Sequence, residues 1–429
     1  MTVDPATPFA YALPMTHAQD DTGPSQPGQL HAAEFVPLMA AMQALTAMSI
    51  DAMLPSLGQI GRDLSVANPN DVQFVITAIF AGMIIGGLVG GPMSDSSGRK
   101  AAIYCGLGSY ILGSLIALTA VSFPMLLAGR LLQGFGASIP SVVSIALLRD
   151  LYVGRAMARV MSFSMSVFIL VPIVAPIIGQ AVLLMGGWRL IFAMFVAIAA
   201  LVTLWFGIRQ PETLAREKRV PFEAGRLLAA TREVLTNRSA MGFSIASGIL
   251  FGAFLGYLSS SQQIFQETYA LGRAFPFYFA SLAAAIGLAM FLNGTLVMRL
   301  GMRKLTNFAL TAIAGLAIIC LPLVLATAGK PPLWALMIYL WCTFLCVGFL
   351  FGNLNAMSIQ SLGHIAGVAA ALINSLRFAV GMPLGVLIGR AYDGTVSPLV
   401  AGFAVLASIA LVITKWAERR EAALGPARP

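Results

Sequence analysis

Long apolar stretches alternate with short polar breaks from about Glu34 to Lys415, and each stretch is long enough to cross a bilayer as a helix. The approximate spans are 34–57, 72–94, 100–121, 124–148, 158–184, 187–208, 240–262, 274–298, 304–328, 333–357, 365–390 and 396–415. None shows the ten-residue alternation of a transmembrane strand, so the pattern predicts an all-α polytopic membrane protein with twelve transmembrane helices. Before the first span, residues 1–33 are rich in Pro, Gly, Ser and Asp and lack the basic start of a signal peptide; a disordered cytoplasmic tail is expected there.

Polar residues divide the chain further. Residues 209–239 form the one long polar stretch between spans, and their spacing from Phe222 onward suits an amphipathic helix at the membrane surface. This linker separates a six-helix bundle over 34–208 from another over 240–415, with a short cytoplasmic tail at 416–429. The loop GGPMSDSSGRK (Gly90–Lys100) recurs in outline as NGTLVMRLGMRK (Asn293–Lys304) at the same place in the other half, which points to duplicated, pseudo-symmetric halves around a central cavity.

Composition agrees with the class: the chain is 58% hydrophobic and 10% charged, with a mean hydropathy of +0.86. Most of its 26 Lys and Arg fall on the side that also holds both termini, so those segments are assigned to the cytoplasm. The net charge of +9 is therefore a topology and lipid-surface signal, and no nucleic-acid partner is read from it. Cys105, Cys320, Cys342 and Cys346 all lie in spans as small hydrophobes, and no metal site or cofactor is expected.

Asp51 is the one acid well inside a span, where an ionised group must find a partner, line a wet cavity or take up a proton. Asp51 lies six residues before the outer end of its span and Arg130 six residues after the start of its own, so both sit roughly 9 Å deep and are expected to meet in at least one conformation. A fixed salt bridge between two helices is the plainer reading of such a pair. Arg377 lies deeper, one turn from Asn374, and either faces the cavity or bonds backbone carbonyls. Gln133, Asn353 and Asn355 can each donate and accept, and Tyr257 and Trp341 could belong to an aromatic wall for cargo. Two Arg against one Asp favour neutral, zwitterionic or anionic cargo over organic cations. Pro172, Pro176 and Gly179 allow a bend and a close helix approach, as expected of a hinge between the halves.

The loop residues Gly91, Asp95, Gly98, Arg99 and Lys100 resemble the signature loop of the major facilitator superfamily, and RLLQGFGAS (Arg130–Ser138) and PIVAPIIGQ (Pro172–Gln180) are similar to its drug-antiporter elements. IDAMLPSL (Ile50–Leu57), GWRLIF (Gly187–Phe192), PETL (Pro211–Leu214) and GHIAGVAAAL (Gly363–Leu372) narrow the resemblance to the Bcr/CflA drug-resistance subfamily. It implies proton-coupled export of a small molecule by a monomer in the bacterial inner membrane. Asp51 and Arg130 would be the coupling pair, and Asp95 with Arg99 a switch favouring the outward-open state. Gln43 and Gln360 stand where relatives carry acids, which leaves a hydrogen-bonding amide without a titratable group. The remaining readings are an uptake symporter for a metabolite, a membrane-embedded enzyme and a transporter-like sensor. An enzyme would need clustered acid, base or metal groups, and a nucleotide-driven pump a phosphate-binding loop, and the chain shows neither.

Overall fold

The computed structural model describes residues 32–152, 154–220 and 224–424; the expected tail at 1–31 and the last residues, 425–429, lie outside the described residues. The helices run in order as α1 (Ala32–Asp51), α2 (Leu57–Asp63), α3 (Phe74–Ser97), α4 (Arg99–Leu118), α5 (Phe123–Leu151), α6 (Gly154–Gly186) and α7 (Trp188–Arg209). The chain continues as α8 (Ala224–Thr236), α9 (Arg238–Gln262), α10 (Phe275–Leu300), α11 (Met302–Ala326), α12 (Leu333–Ile359), α13 (Ala366–Arg390) and α14 (Ser397–Leu424). The segment expected as a C-terminal tail from residue 416 is the last part of α14, helical to Leu424.

Local chemistry explains the boundaries. Ser122 accepts a hydrogen bond from Met125 N and is followed by Pro124 in the first turn of α5; Asn237 accepts from Ala240 N at the start of α9. The reversals after α3 and α10 fall on Gly98 (φ 104°, ψ 158°) and Gly301 (φ 81°, ψ 151°), a conformation that a Cβ would strain. Their match confirms in backbone geometry the loop repeat read from the sequence. The α1 helix stops at Asp51, since Pro55 cannot donate to the helical ladder, and a tight turn at Leu54–Ser56 leads into α2.

The two halves are built alike. In the first, α5 packs on α3 and α4, α1 on α6, and α4 on α7; in the second, α12 packs on α10 and α11, α9 on α13, and α11 on α14. The halves meet through α3 with α13 and α6 with α10, again an equivalent pair. Exposed side chains such as Leu201, Leu204 and Ile208 on α7 and Ile318, Ile319 and Leu325 on α11 cover the outside, an apolar surface suited to lipid.

Close helix contact in the first half depends on small residues. A Cβ on Gly134 would stand 1.9 Å from Ile79 O, and one on Gly82 1.9 Å from Leu131 O, so α3 and α5 touch backbone to backbone. Gly134→Val should therefore push the two helices apart and reduce the folded protein recovered in detergent to a small fraction of wild type, measured by size-exclusion profile. A monodisperse peak at wild-type yield would show that the contact is less tight than the geometry says.

The start of α1, the described N-terminal end, lies at the same end of the bundle as the linker. Glu34 at the start of α1 takes bonds from Arg209 Nε (2.6 Å) and Trp205 Nε1 (3.2 Å) at the close of α7. The linker runs extended to a turn at Arg216–Lys218, then forms α8; residues 221–223, where the amphipathic helix was expected to begin, lie outside the described residues. Val234 of α8 packs with Leu362, Ala369 and Ile373, and Glu233 meets His364 at 2.7 Å, so α8 rests on the second half.

Candidate functional site

Asp51 is 6% exposed, and among the described residues no hydrogen bond or ion pair reaches its carboxyl group. The hydroxyl of Tyr257 on α9, within electrostatic range of Asp51, is itself shut in without a hydrogen-bonding partner. Tyr257 is held in place by its ring, which stacks on Phe279 at 5.7 Å and meets Phe344 edge-on at 4.6 Å. A carboxyl of the first half and a phenol of the second thus lie within electrostatic reach of each other, neither with a hydrogen-bonding partner among the described residues.

In this conformation Arg130 does not pair with Asp51. Its guanidinium is fully buried and donates to Val75 O (3.0 Å), Ser49 O (2.8 Å) and Gln133 Oε1 (2.6 Å). The contact with Ser49 shows that the depth argument found the right level, while Asp51 stands on another face. Ser49 also bonds Tyr110 of α4 at 2.6 Å, so it points into the first half; Asp51, two residues on, is turned about 200° around the helix, toward α9. Gln133 belongs to the same clamp, since its amide donates to Ser114 Oγ at 2.9 Å, and its side chain is fully buried inside the first half.

Arg377 carries the other unpartnered charge. Its Nε is buried without an acceptor, and its guanidinium lies over the rings of Phe378 (4.9 Å) and Phe251 (5.6 Å). Phe80 of the first half touches both rings, at 5.4 and 5.3 Å. The remaining polar candidates divide. Asn353 exchanges bonds with Asn293 of α10 (3.0 and 3.3 Å), which ties two helices of one half together. Gln43 is buried, and Asn355 and Asn374 are half-buried. Trp341 is 38% exposed and continues an outward stripe with Trp334 and Ile338, so it faces lipid and cannot line a wall for cargo.

Pro172 and Pro176 lie inside α6, half-buried and buried respectively. Gly179 does not face the other half as expected: a Cβ there would stand 2.0 Å from Ala52 O, so the close approach is to the end of α1 in its own half. The contact backs the chain just after Asp51.

The bundle is closed at the end away from the linker. Asn70 donates to Tyr392 O (2.8 Å) and Arg390 O (3.1 Å) and accepts from Gln263 Nε2 (2.8 Å), and Asp71 pairs with Arg390 Nε at 3.1 Å. A pocket of about 510 Å³ lies at that end, lined by Asp63, Asp71, Phe74 and Phe123 of the first half, and one of about 480 Å³ lies between α4 and α7, lined by Tyr104, Ile111 and Leu204. Neither is lined by both halves.

At the linker end the signature loop forms a compact ionic knot. Arg99 binds Asp95, Asp150 Oδ2 (3.0 Å) and Ser94 Oγ (2.9 Å), while Lys100 donates to Gly207 O (2.9 Å). Gly91 has open space around its Cα, whereas a Cβ on Gly98 would meet Glu212 Oε2 at 2.6 Å. Glu212 is the residue the sequence reading passed over. Its carboxylate accepts the N–H groups of Arg99 (3.0 Å), Lys100 (3.1 Å) and Leu214 (3.0 Å), capping α4 from the linker, and Thr213 adds a bond to Asp150 at 3.0 Å. The available signal was the acid beside Pro211 just after the sixth span, but a cap from more than a hundred residues away has no local pattern.

Burial alone would raise the proton affinity of Glu212, but the three N–H donors and nearby Arg219 outweigh it and hold the carboxyl below its ordinary value of 4.5. A lowered value means that its stabilising contribution is complete above pH 4.5 and is lost as pH falls through the lowered value. Glu212→Gln should cost on the order of 1 kcal/mol, as loss of a helix cap does. The melting temperature in detergent should drop for the variant at neutral pH and converge with wild type in acid. Equal melting at neutral pH would mean that the cap contributes nothing.

The family model described as Major Facilitator Superfamily matches residues 39–386. The chain is 31% identical over 359 residues to an uncharacterized MFS-type transporter, YdgK, of Bacillus subtilis, covering 82% of this chain and 87% of that one. It is 29% identical over 378 residues to a bicyclomycin resistance protein homolog of Haemophilus influenzae, covering 85% and 91%. Among solved structures, the xylose transporter XylE from E. coli superimposes with a TM-score of 0.67 at 12% identity, over 90% of this chain and 97% of that one, a likeness of fold.

Proposed function

For this chain, which belongs to the Major Facilitator Superfamily and so is a multi-pass membrane transporter, we propose proton-coupled efflux of small drugs or metabolites by alternating access. The observation that carries the reading is Asp51: a buried carboxyl without a partner, placed where one half meets the other. A group in that position changes its surroundings whenever the halves move, and a carboxyl whose proton affinity depends on conformation is the element an antiporter requires. Arg130 serves as the clamp that fixes the face Asp51 presents, and the ionic knot with its Glu212 cap serves as the switch at the linker end. The closed end, with Asn70 and Arg390, would be periplasmic, and both termini and the linker cytoplasmic, in a bacterial inner membrane. The basic residues around the linker support that orientation.

The test is transport in proteoliposomes of known orientation. An imposed proton gradient should drive labelled cargo against its own gradient, opposite to the proton, and dissipating the proton gradient should stop it. Movement of cargo with the proton would establish the uptake reading, and indifference to the gradient would remove proton coupling altogether.

A further inference from the structure

Three charged side chains lie deep in the described spans, and they are not equivalent. Arg130 donates to three neutral acceptors, which satisfy its guanidinium. Asp51 and Arg377 have no hydrogen-bonding or ionic partner, in each other or in any other described residue. An isolated charge inside a helix bundle is costly, so groups left in this state call for a ligand or for neutralisation.

Aromatic side chains run between them. Tyr257, Phe254 and Phe251 recur at three-residue steps on one face of α9, with neighbouring rings 6.4 and 6.2 Å apart. Phe251 leads to Arg377, and Phe351 of α12 touches both Phe251 and Phe254, at 6.5 and 5.5 Å. Phe254, Phe351 and Phe378 are half-buried and keep accessible surface. From Tyr257 to Phe251 the helix rises about 9 Å. An acid therefore stands at one end of an aromatic lane and a guanidinium at the other.

We propose that the cargo is a zwitterion with an aromatic body, its anionic end held by Arg377 and its cationic end by Asp51. This rests on the transport reading above and narrows its substrate class. The guanidinium offers a planar fork suited to a carboxylate while its face stays on Phe251 and Phe378, and the rings of α9 stack on the body of the cargo. The cationic end explains the direction of coupling. A cation at Asp51 competes with a proton for the same carboxylate, so the two exchange; a purely anionic cargo would bind better once Asp51 is protonated and would travel with the proton.

Equilibrium binding to the purified full chain in lipid nanodiscs decides it, with three matched probes: para-aminoethylbenzoic acid, para-ethylbenzoic acid, and para-methylphenethylamine. The zwitterion should bind at least about tenfold more tightly than either singly charged relative near neutral pH. Arg377→Gln should reduce the zwitterion to the level of the amine, and Asp51→Asn should reduce it to the level of the acid. If the zwitterion shows no advantage over both relatives in the wild-type protein, undetectable binding included, the proposal is wrong, and that comparison needs no variant to fold. No gradient enters the measurement. A zwitterion preference without proton-driven transport would overturn only the coupling, and proton-driven transport with equal binding of the three probes would overturn only the cargo class.

Discussion

Asp51→Asn is expected to abolish uphill transport, while downhill exchange persists at the higher cargo concentration that weaker binding requires. The side chain has no hydrogen bond to lose among the described residues, and asparagine keeps its shape, so folding should be little affected. What goes is the proton. One pH unit corresponds to about 1.4 kcal/mol, so an antiporter moving one proton per cargo should concentrate cargo about tenfold per unit of imposed gradient, while the variant should stay at unity. Accumulation in proteoliposomes reads the first quantity and counterflow of labelled cargo the second. Accumulation by the variant at the wild-type level would place the coupling group elsewhere in the chain.

Arg130→Gln should behave differently, because in this structure Arg130 is a clamp between helices. Its loss leaves Ser49 O, Val75 O and Gln133 Oε1 short of donors in a buried place, and a cost of about 3 kcal/mol is expected. Melting temperature should fall, and uphill accumulation and downhill exchange should decline together with the amount of folded protein. A variant that melts like wild type, exchanges normally and fails only in accumulation would instead restore Arg130 to the coupling pair. The two substitutions thus separate a proton-carrying role from a positioning one at neighbouring depths in the same half.

The membrane makes some features of this protein readable from its residues alone. A segment that crosses lipid must satisfy its own backbone and hide few charges, so the spans, the division into halves around 209–239 and the rarity of Asp51 stand out in the linear pattern. The loop from Gly91 to Lys100 was legible for a different reason: a glycine forced to positive φ beside an Asp and an Arg one turn apart is a local arrangement, and local arrangements leave local signatures. Which way each span faces left no such mark. Lipid and core are both apolar, so Trp341 on the outside and Phe344 on the inside look alike in sequence, and Gln133 and Asn353 could not be recognised as already engaged. The same ambiguity hid the difference between Arg130, satisfied three times, and Arg377, not at all. Only the packed helices decided that Asp51 turns from Arg130 toward Tyr257, and that Glu212 closes over the start of a helix distant in the chain. Side-chain direction follows from helix rotation and long-range contact, and hydropathy specifies neither.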